Sequence, residues 1–240
     1  MTFSGFEKTD LINYPGLVAS TVFTCGCNFR CPYCHNPEFV IQGSDETYFG
    51  ESYTEEEILA YLTKRRALLD GLVISGGEPT LHKDLAPFMR RVKDMGYKIK
   101  LDTNGSKPAV LKDLISQGLV DYVAMDIKAP LEKYHLLGLT DTEAISMSID
   151  ILEGLDDLVD HDGPDSLVDH EFRTTCPKSI LDVSDFAKMA DLIGKKTNWY
   201  LQPFNPKKTL DPSYNEESSY SSEELEEIIR TLGRKNTFVR

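Results

Sequence analysis

Three cysteines, Cys27, Cys31 and Cys34, lie within eight residues of one another in the run CNFRCPYC. Three thiolates on one short loop can bind three irons of a cubic iron–sulfur cluster. The sequence has no fourth cysteine at matching spacing nearby, so the fourth iron would have no protein ligand. An iron with an open position can bind and activate a substrate, whereas a closed four-cysteine site mainly transfers electrons or stabilises a fold. We therefore predict an open iron–sulfur cluster on this loop.

The same cysteines also allow other interpretations. His35 could complete a zinc site, but it is adjacent to Cys34, which strains tetrahedral binding. The next cysteine, Cys176, is far along the chain. Taken alone, Cys31 and Cys34 have the spacing of a thioredoxin-like redox motif. Zinc binding, a disulfide and thiol redox chemistry are thus alternatives to the cluster.

Length, charge and cysteine usage limit the class of protein. The 240 residues suit one α/β domain with a sizeable core. We see no signal peptide and no apolar run near the ~18 residues that a membrane helix needs. Five cysteines, three of them clustered, favour a reducing cytoplasm over a disulfide scaffold. The net charge of -13, with no Lys or Arg over residues 153–171 and 211–227, argues against nucleic acid as the main partner.

Segments typical of strands and helices alternate along the chain. The predicted strands cover residues 17–24, 72–75, 97–101, 120–127, 171–175 and 199–202, with an edge strand at 237–240. The predicted helices cover residues 55–70, 84–95, 108–117, 142–158 and 183–193, with a last helix capped by Ser221 and Glu224. This rhythm predicts parallel strands with helices outside. About six βα units fit, so we expect a partial (β/α)6 TIM-like barrel or an open curved sheet.

The same alternation of strands and helices indicates the domain organisation. We predict a single domain over residues 1–240, with a core at about residues 17–205 and a C-terminal helix and edge strand over 221–240. The acidic stretch from residue 153 to residue 170 is expected to form a surface loop that could contact a partner.

Polar side chains follow the predicted strands at the points where the strands end. They lie in the cysteine loop and in the segments 75–79, 102–105, 126–128, 173–175 and 202–205. Because the carboxyl ends of parallel strands meet at one edge, we expect these groups to face one cavity. Gly76 and Gly77 would let the backbone approach a ligand closely, and Glu78 could accept hydrogen bonds from an ammonium group. An ordinary tight turn is the alternative for this glycine pair.

Together these motifs resemble those of the radical S-adenosylmethionine (radical SAM) superfamily. The resemblance rests on the C-x3-C-x2-C spacing, followed one βα unit later by Gly-Gly-Glu-Pro. The runs GCNFRCPYCHNP, VISGGEPT, LDTNGS, VDYVAMDIKAP, EFRTT and LQPF together resemble the anaerobic ribonucleoside-triphosphate reductase activating proteins. These are glycyl-radical-enzyme activases, a group that includes the pyruvate formate-lyase activating enzymes. The resemblance covers about residues 5–212.

This resemblance implies cofactors and residues that hold them. The three cysteines of the loop would bind a 4Fe–4S cluster, whose open iron is chelated by the amino and carboxylate groups of S-adenosylmethionine. The residues implied to bind S-adenosylmethionine are Tyr33, Gly76, Gly77, Glu78, Asp102, Asn104, Asp126, Lys128 and Arg173. Among them, Glu78 would hold the ammonium group, Tyr33 would lie near the adenine, and Lys128 would contact the methionine and ribose part.

A monovalent cation is a further implied cofactor. Asp102, Thr103 and Asp126 match a group proposed to hold such a cation near the sulfonium. Capping of a strand end is the alternative for Thr103 and Asn104. Asn205 stands where formate-lyase activases tend to have histidine, so its contact with the nucleoside does not follow from the resemblance.

The resemblance also implies a reaction. A low-potential donor such as flavodoxin or ferredoxin reduces the cluster, and the electron breaks the C5′–S bond of S-adenosylmethionine. The 5′-deoxyadenosyl radical then removes a hydrogen from a glycine Cα of a partner protein. The implied partner is an anaerobic (class III) ribonucleotide reductase. Activation of another glycyl radical enzyme such as pyruvate formate-lyase, and radical chemistry on a small molecule, a peptide or tRNA, are the alternatives.

Two cysteines lie outside the predicted cluster site. Cys25 offers an alternative start of the motif, but its C-x5-C spacing fits the superfamily less well. Cys176 is expected to be a small buried apolar residue.

Overall fold

The computed structural model describes residues 1–40, 52–156 and 168–240. Its strands are β1 (Thr2–Asp10), β2 (Ala19–Thr24), β3 (Tyr53–Thr54), β4 (Gly71–Gly76), β5 (Lys98–Thr103), β6 (Tyr122–Asp126), β7 (Asp169–Cys176), β8 (Asn198–Pro203) and β9 (Thr237–Val239). Its α-helices are α1 (Pro37–Val40), α2 (Glu55–Arg65), α3 (Leu85–Asp94), α4 (Pro108–Ser116), α5 (Glu143–Asp156), α6 (Val183–Leu192) and α7 (Ser222–Leu232). Short 3-10 helices cover Pro79–Leu81, Leu131–Leu137 and Pro212–Glu216. Every predicted strand and helix is found, with shifts of a few residues at most ends.

The described chain divides into two compact units, each built from segments that are distant in sequence. The first unit comprises Met1–Cys27, Glu38–Thr103 and Ala109–Val123. The second unit comprises Asn28–Pro37, Asn104–Pro108 and Ala124–Arg240. The single domain over residues 1–240 stays a prediction.

The first unit contains parallel strands joined by helices. Strands β2, β4 and β5 pair in parallel, with Val73 of β4 opposite Thr21 on one side and Lys100 on the other. Helix α2 begins at a capping box, a pattern that the sequence shows as Thr54-Glu55-Glu56-Glu57: the Glu57 N–H donates to the Thr54 hydroxyl, and the Glu57 carboxylate accepts from the Thr54 N–H. The buried face of α2 then covers the sheet, as the helical spacing of its apolar residues predicts.

The prediction of parallel strands alone was incomplete, because the sheet also has an antiparallel edge. Strand β1 pairs antiparallel with both β2 and β3. Register shifts between Phe3 and Gly5 and between Glu7 and Asp10 interrupt β1. Each shift breaks the alternation of buried and exposed side chains that reveals a strand in a sequence. The sequence analysis missed β1 for this reason.

The second unit contains the parallel strands β7, β8 and β9. The fully buried Trp199 of β8 donates from Nε1 to the Thr174 hydroxyl of β7 at 2.9 Å. Strand β9 pairs in parallel with β8, which confirms the predicted edge strand. The predicted acidic surface loop falls largely on residues 157–167, outside the described residues. Among the described residues, no helix has the length and apolar character needed to cross a lipid bilayer.

Arg240 forms an ion pair whose loss should destabilise the second unit. Its guanidinium donates to both carboxylate oxygens of the fully buried Glu171 at 2.9 and 3.0 Å, and lies 3.7 Å from the ring centre of Tyr200. We expect Arg240→Ala to lower the free energy of unfolding by about 2 kcal/mol, because it removes a bidentate pair from a buried carboxylate. Urea denaturation measures this loss.

The matched control is Arg230→Ala. Arg230 pairs with Glu227 on the exposed face of α7, where an ion pair contributes little to stability. We expect no measurable change for this variant. An equal loss of stability in the two variants would contradict the stabilising effect of the ion pair between Arg240 and Glu171.

Candidate functional site

The Gly-Gly-Glu turn of the first unit is attached to the segment that leads into the cysteine loop. Strand β4 ends at Gly76, and the next N–H, of Gly77, donates to the Thr24 carbonyl at 2.9 Å. The Glu78 N–H donates to the Gly26 carbonyl at 2.8 Å. The ends of β2 and β4 are therefore joined directly, as predicted from the common edge of parallel strands.

The two glycines of this turn are required by the chain itself. Gly76 has a φ of +115°, which residues with side chains rarely adopt. A Cβ atom on Gly77 would lie 2.1 Å from the Gly26 carbonyl oxygen and 2.7 Å from that of Phe39. From the sequence, both glycines were expected to allow the approach of a ligand, with an ordinary tight turn as the alternative. The structure adds a packing reason, while their contact with a ligand stays a prediction.

The Glu78 carboxylate is held by donors from two elements of the first unit. Glu78 is fully buried, and its Oε1 accepts from the Thr80 N–H at 3.1 Å and from the Thr103 hydroxyl at 2.8 Å. The Thr80 hydroxyl donates to the same oxygen. These bonds fix the orientation of a carboxylate that is predicted to hold an ammonium group. Thr80, which lies in the short 3-10 helix after the turn, was not predicted from the sequence.

Asp102 of β5 lies beside an unpredicted cation. The Lys100 ammonium donates to Asp102 Oδ1 from two residues earlier on the same strand. The Lys100 side chain is 1% exposed and that of Asp102 is 13% exposed. The pair is therefore a buried feature of the first unit.

The second unit contains the latter part of the cysteine loop. The Cys34 N–H donates to the Cys31 carbonyl at 3.0 Å, which closes a tight turn. The turn is anchored at two points, before it by a bond from the Arg30 N–H to the Leu137 carbonyl and within it by a bond from the Asp211 N–H to the Pro32 carbonyl. Cys31 is buried and Cys34 is half-buried.

Asn104 supports the cysteine loop from within the second unit. Its side-chain amide donates to Asn28 Oδ1 at 3.0 Å, and its Oδ1 accepts from the Ser106 N–H at 2.9 Å. Asn28 in turn donates to the Ser106 hydroxyl at 2.9 Å. This ring of bonds gives Asn104 a structural role, and its contact with a cofactor stays a prediction. Sequence reasoning missed Asn28 and Ser106.

The structure brings Asp126, Lys128 and Arg173 together in the second unit. The Lys128 ammonium donates to Asp126 Oδ2 at 3.0 Å, and Arg173 Nε donates to Asp126 Oδ1 at 3.1 Å. Burial raises the pKa of the Asp126 carboxyl, but the two cations outweigh burial and lower that pKa to about 2. Burial lowers the pKa of Lys128, yet Asp126, Cys31 and Tyr33 together raise it well above its usual value.

A charged Lys128 near Cys31 suits a metal-binding thiol. A neighbouring cation favours the thiolate, which is the form that binds iron. Tyr33 is buried, and burial followed by the nearby Cys31 raises the pKa of its hydroxyl well above the usual value. The Tyr33 ring packs edge-on against Phe204, with ring centres 6.1 Å apart.

The Asp126 carboxyl is expected to make the free energy of unfolding depend on pH in the acid range. Because its pKa is lowered on folding, the ionised carboxylate stabilises the folded chain above about pH 4, and this contribution is lost as the pH falls towards 2. The side chain is 31% exposed, which weakens the effect. We expect Asp126→Asn to be less stable than the wild type by about 1 kcal/mol near neutral pH, with the gap closing near pH 2. Urea denaturation of the cluster-free proteins across this range measures the gap, and a constant gap would contradict the ion-pair origin.

Cys176 has the surroundings expected of a residue outside the cluster, whereas the exclusion of Cys25 stays a prediction. Cys176 is fully buried, burial raises the pKa of its thiol to about 12, and the thiol donates to the Thr174 carbonyl at 3.3 Å. Cys25 is half-buried, and its carbonyl oxygen lies 2.9 Å from Nε2 of His82. All five cysteines lie in the described part of the chain, and none of them forms a disulfide.

The chemistry of the cysteine loop fits an iron–sulfur cluster. Its three cysteines, all in the described part of the chain, form no disulfide, and the cation Lys128 interacts with one of them, Cys31. Cys27 belongs to the first unit, and Cys31 and Cys34 belong to the second. Across residues 1–40, 52–156 and 168–240, no three His, Cys, Asp or Glu side chains already surround a common metal position. Their joint binding of a cluster therefore stays a prediction.

Comparison with known proteins identifies relatives over most of the chain. Residues 21–170 match the family model of the radical SAM superfamily. A protein of Methanocaldococcus jannaschii, named as a glycyl-radical enzyme activating enzyme, is 31% identical over 94% of this chain and 89% of its own length. The pyruvate formate-lyase-activating enzyme of Clostridium pasteurianum is 31% identical over 51% of this chain and 50% of its own length.

A solved structure agrees with these relatives at the level of the fold. The crystal structure of QueE from Escherichia coli superposes with a TM-score of 0.58 at 15% identity, covering 99% of this chain and 92% of QueE. This likeness confirms the predicted α/β fold class. Because the family model covers more than half of the 240 residues and a relative at 31% identity covers nearly all of them, the chain belongs to the radical SAM superfamily.

Proposed function

We propose that this protein is a glycyl-radical-enzyme activase whose partner is an anaerobic (class III) ribonucleoside-triphosphate reductase. The observation that most supports the activase class is the extent of the likeness to the M. jannaschii protein, which covers 94% of this chain. The choice of partner rests on the resemblance of the sequence motifs. Sequence likeness that extends beyond the common core favours a shared substrate class, because substrate-binding segments vary within a fold. The activase motifs of the sequence, in particular Asp126-Ile127-Lys128, support the same function.

The cofactors of the superfamily supply the radical chemistry. When bound, a 4Fe–4S cluster and S-adenosylmethionine would supply the one-electron chemistry that removes a hydrogen from a glycine of the partner. We assign the cluster to Cys27, Cys31 and Cys34. Flavodoxin or ferredoxin is the class of electron donor that we expect, and the cytoplasm is the expected location.

The chain's own residues bind and orient S-adenosylmethionine in this proposal. Glu78 accepts the ammonium group, and its carboxylate is already oriented by Thr80 and Thr103. Lys128 binds a carboxylate or ribose oxygen as a point charge. Arg173 and Asp126 keep the Lys128 side chain in place through the ion pairs described above. Such fixed partners reduce the cost of ordering the site when the ligand binds.

The proposal is tested by radical transfer to purified partners. The cluster-loaded protein is incubated without oxygen with dithionite, S-adenosylmethionine and a class III reductase, and in parallel with pyruvate formate-lyase. We expect a glycyl-radical doublet in the electron paramagnetic resonance spectrum of the reductase. A doublet on the lyase alone would overturn the choice of partner. No doublet on either protein, from enzyme with full iron content, would overturn the activase function.

A further inference from the structure

The carboxylate of Asp102 is already bound to a cation that belongs to the chain. Asp102 is one of the residues implied to hold a monovalent cation, yet its Oδ1 accepts from the Lys100 ammonium. The two residues are two positions apart in β5, so both side chains leave the same face of the strand. The strand that contributes a carboxylate for a metal ion therefore also contributes an ammonium group that binds this carboxylate.

The surroundings of Lys100 keep its ammonium at this position. The Lys100 side chain is 1% exposed, and lysine is almost never fully buried unless it is paired. Val73 lies opposite Lys100 in the neighbouring strand β4. The Lys100 Nζ lies 5.8 Å from the ring centre of Tyr122, and an aromatic ring face attracts a cation. Moving the ammonium away from Asp102 would leave two buried charges separated, which is strongly unfavourable.

The other two implied cation ligands also have hydrogen-bond or ion-pair partners within the chain. The Thr103 hydroxyl donates to Glu78 at 2.8 Å. In the second unit, Asp126 pairs with Lys128 and Arg173. Both carboxylates of the implied set are therefore bound by cationic side chains. A monovalent metal ion would have to compete with these tethered cations for both carboxylates, so the residues do not fit such an ion.

We propose that the Lys100 ammonium replaces the monovalent cation, and that Lys100 is a positioning residue that acts through Asp102. It supplies the positive charge that fixes the Asp102 carboxylate for S-adenosylmethionine. This role in binding rests on the proposed function, whereas the replacement of the metal ion does not.

The replacement is tested on the cluster-free protein, without any partner enzyme. Thermal unfolding is compared in potassium chloride and in tetramethylammonium chloride at equal ionic strength, because tetramethylammonium is too large for a site built for a metal ion. The wild type is expected to have the same midpoint in both salts. A saturable gain in midpoint with potassium in the wild type would overturn the proposal, whatever the outcome of the radical assay.

Variants separate a positioning role from a merely structural one. Lys100→Ala leaves room beside Asp102, and we expect potassium to raise its midpoint while tetramethylammonium does not. With the cluster loaded, we expect it to bind S-adenosylmethionine about tenfold more tightly in potassium than in tetramethylammonium, a difference of about 1.4 kcal/mol. Equilibrium dialysis measures this ratio. Equal binding in both salts, at the affinity of the wild type, would overturn the positioning role.

Two further variants complete the test. Lys100→Arg keeps a cation next to Asp102, and we expect no difference between the two salts. Lys98→Ala changes the exposed lysine of the same strand, and we expect it to behave like the wild type. If Lys100→Ala does not fold, a difference between the salts in Lys100→Arg or in the wild type would still overturn the proposal.

Discussion

Cys31→Ser is expected to lower the rate of S-adenosylmethionine cleavage by more than about a hundredfold, because a serine hydroxyl is a poor replacement for a thiolate bound to iron. Cys31 is buried in the tight turn that also contains Cys34. Cys31 is among the groups that raise the pKa of Lys128, and a neighbouring cation favours a thiolate. The measurement is the amount of 5′-deoxyadenosine formed with dithionite, together with the iron content after anoxic reconstitution.

Two matched controls use the remaining cysteines. Cys176→Ser places a hydroxyl where the thiol donates to the Thr174 carbonyl, so its buried donor keeps a partner. Cys25→Ser tests the alternative start of the motif. We expect both variants to keep their iron and to cleave S-adenosylmethionine at nearly the wild-type rate. Loss of the cluster in Cys25→Ser, with retention in Cys31→Ser, would show that the ligands are wrongly assigned.

Gly77→Ala is expected to cost about 3 kcal/mol of stability and to weaken S-adenosylmethionine binding at least about tenfold. The new methyl group would lie 2.1 Å from the Gly26 carbonyl oxygen, and backbone atoms cannot rotate away as side chains do. The turn would have to move, and the Glu78 N–H would lose its bond to Gly26. Urea denaturation and equilibrium dialysis measure the two effects.

Gly154→Ala is the control for this substitution. Gly154 lies in helix α5, and a Cβ atom there would have no neighbour within 4 Å among the residues that the structure describes. Alanine is the better helix former, so we expect this variant to be about 0.5–1 kcal/mol more stable than the wild type. If Gly77→Ala were as stable as Gly154→Ala, the turn would not be packed against Gly26 as the structure shows.

Local signals made most of the fold predictable from the sequence. The capping box of Thr54 and Glu57 is confined to four residues, and the buried residues of α2 recur at helical spacing. Glycines at the ends of helices and short apolar runs likewise indicate helices and strands from neighbouring residues alone. Strand β1 was missed because its two register shifts remove the alternation on which a strand prediction depends.

The residue types of the candidate site could be predicted from the sequence, but most of their hydrogen-bond partners could not. The cysteine spacing and the Gly-Gly-Glu turn could be read directly, since each is a short run. The bond between Asn28 and Asn104 joins residues 76 positions apart, and such a pair leaves no mark in a single sequence. Lys100 was missed because a lysine in a strand predicts an exposed position, whereas this one is buried by its pairing with Asp102.

The most direct test of the proposed activase is to follow the hydrogen that it removes. The class III reductase is prepared with glycine that carries deuterium on its Cα atoms, and is activated without oxygen by the cluster-loaded protein, dithionite and S-adenosylmethionine. We predict that the 5′-deoxyadenosine formed contains deuterium, in an amount that matches the glycyl radical measured by electron paramagnetic resonance. 5′-Deoxyadenosine without deuterium, formed at the same rate whether or not the reductase is present, would contradict the activase function.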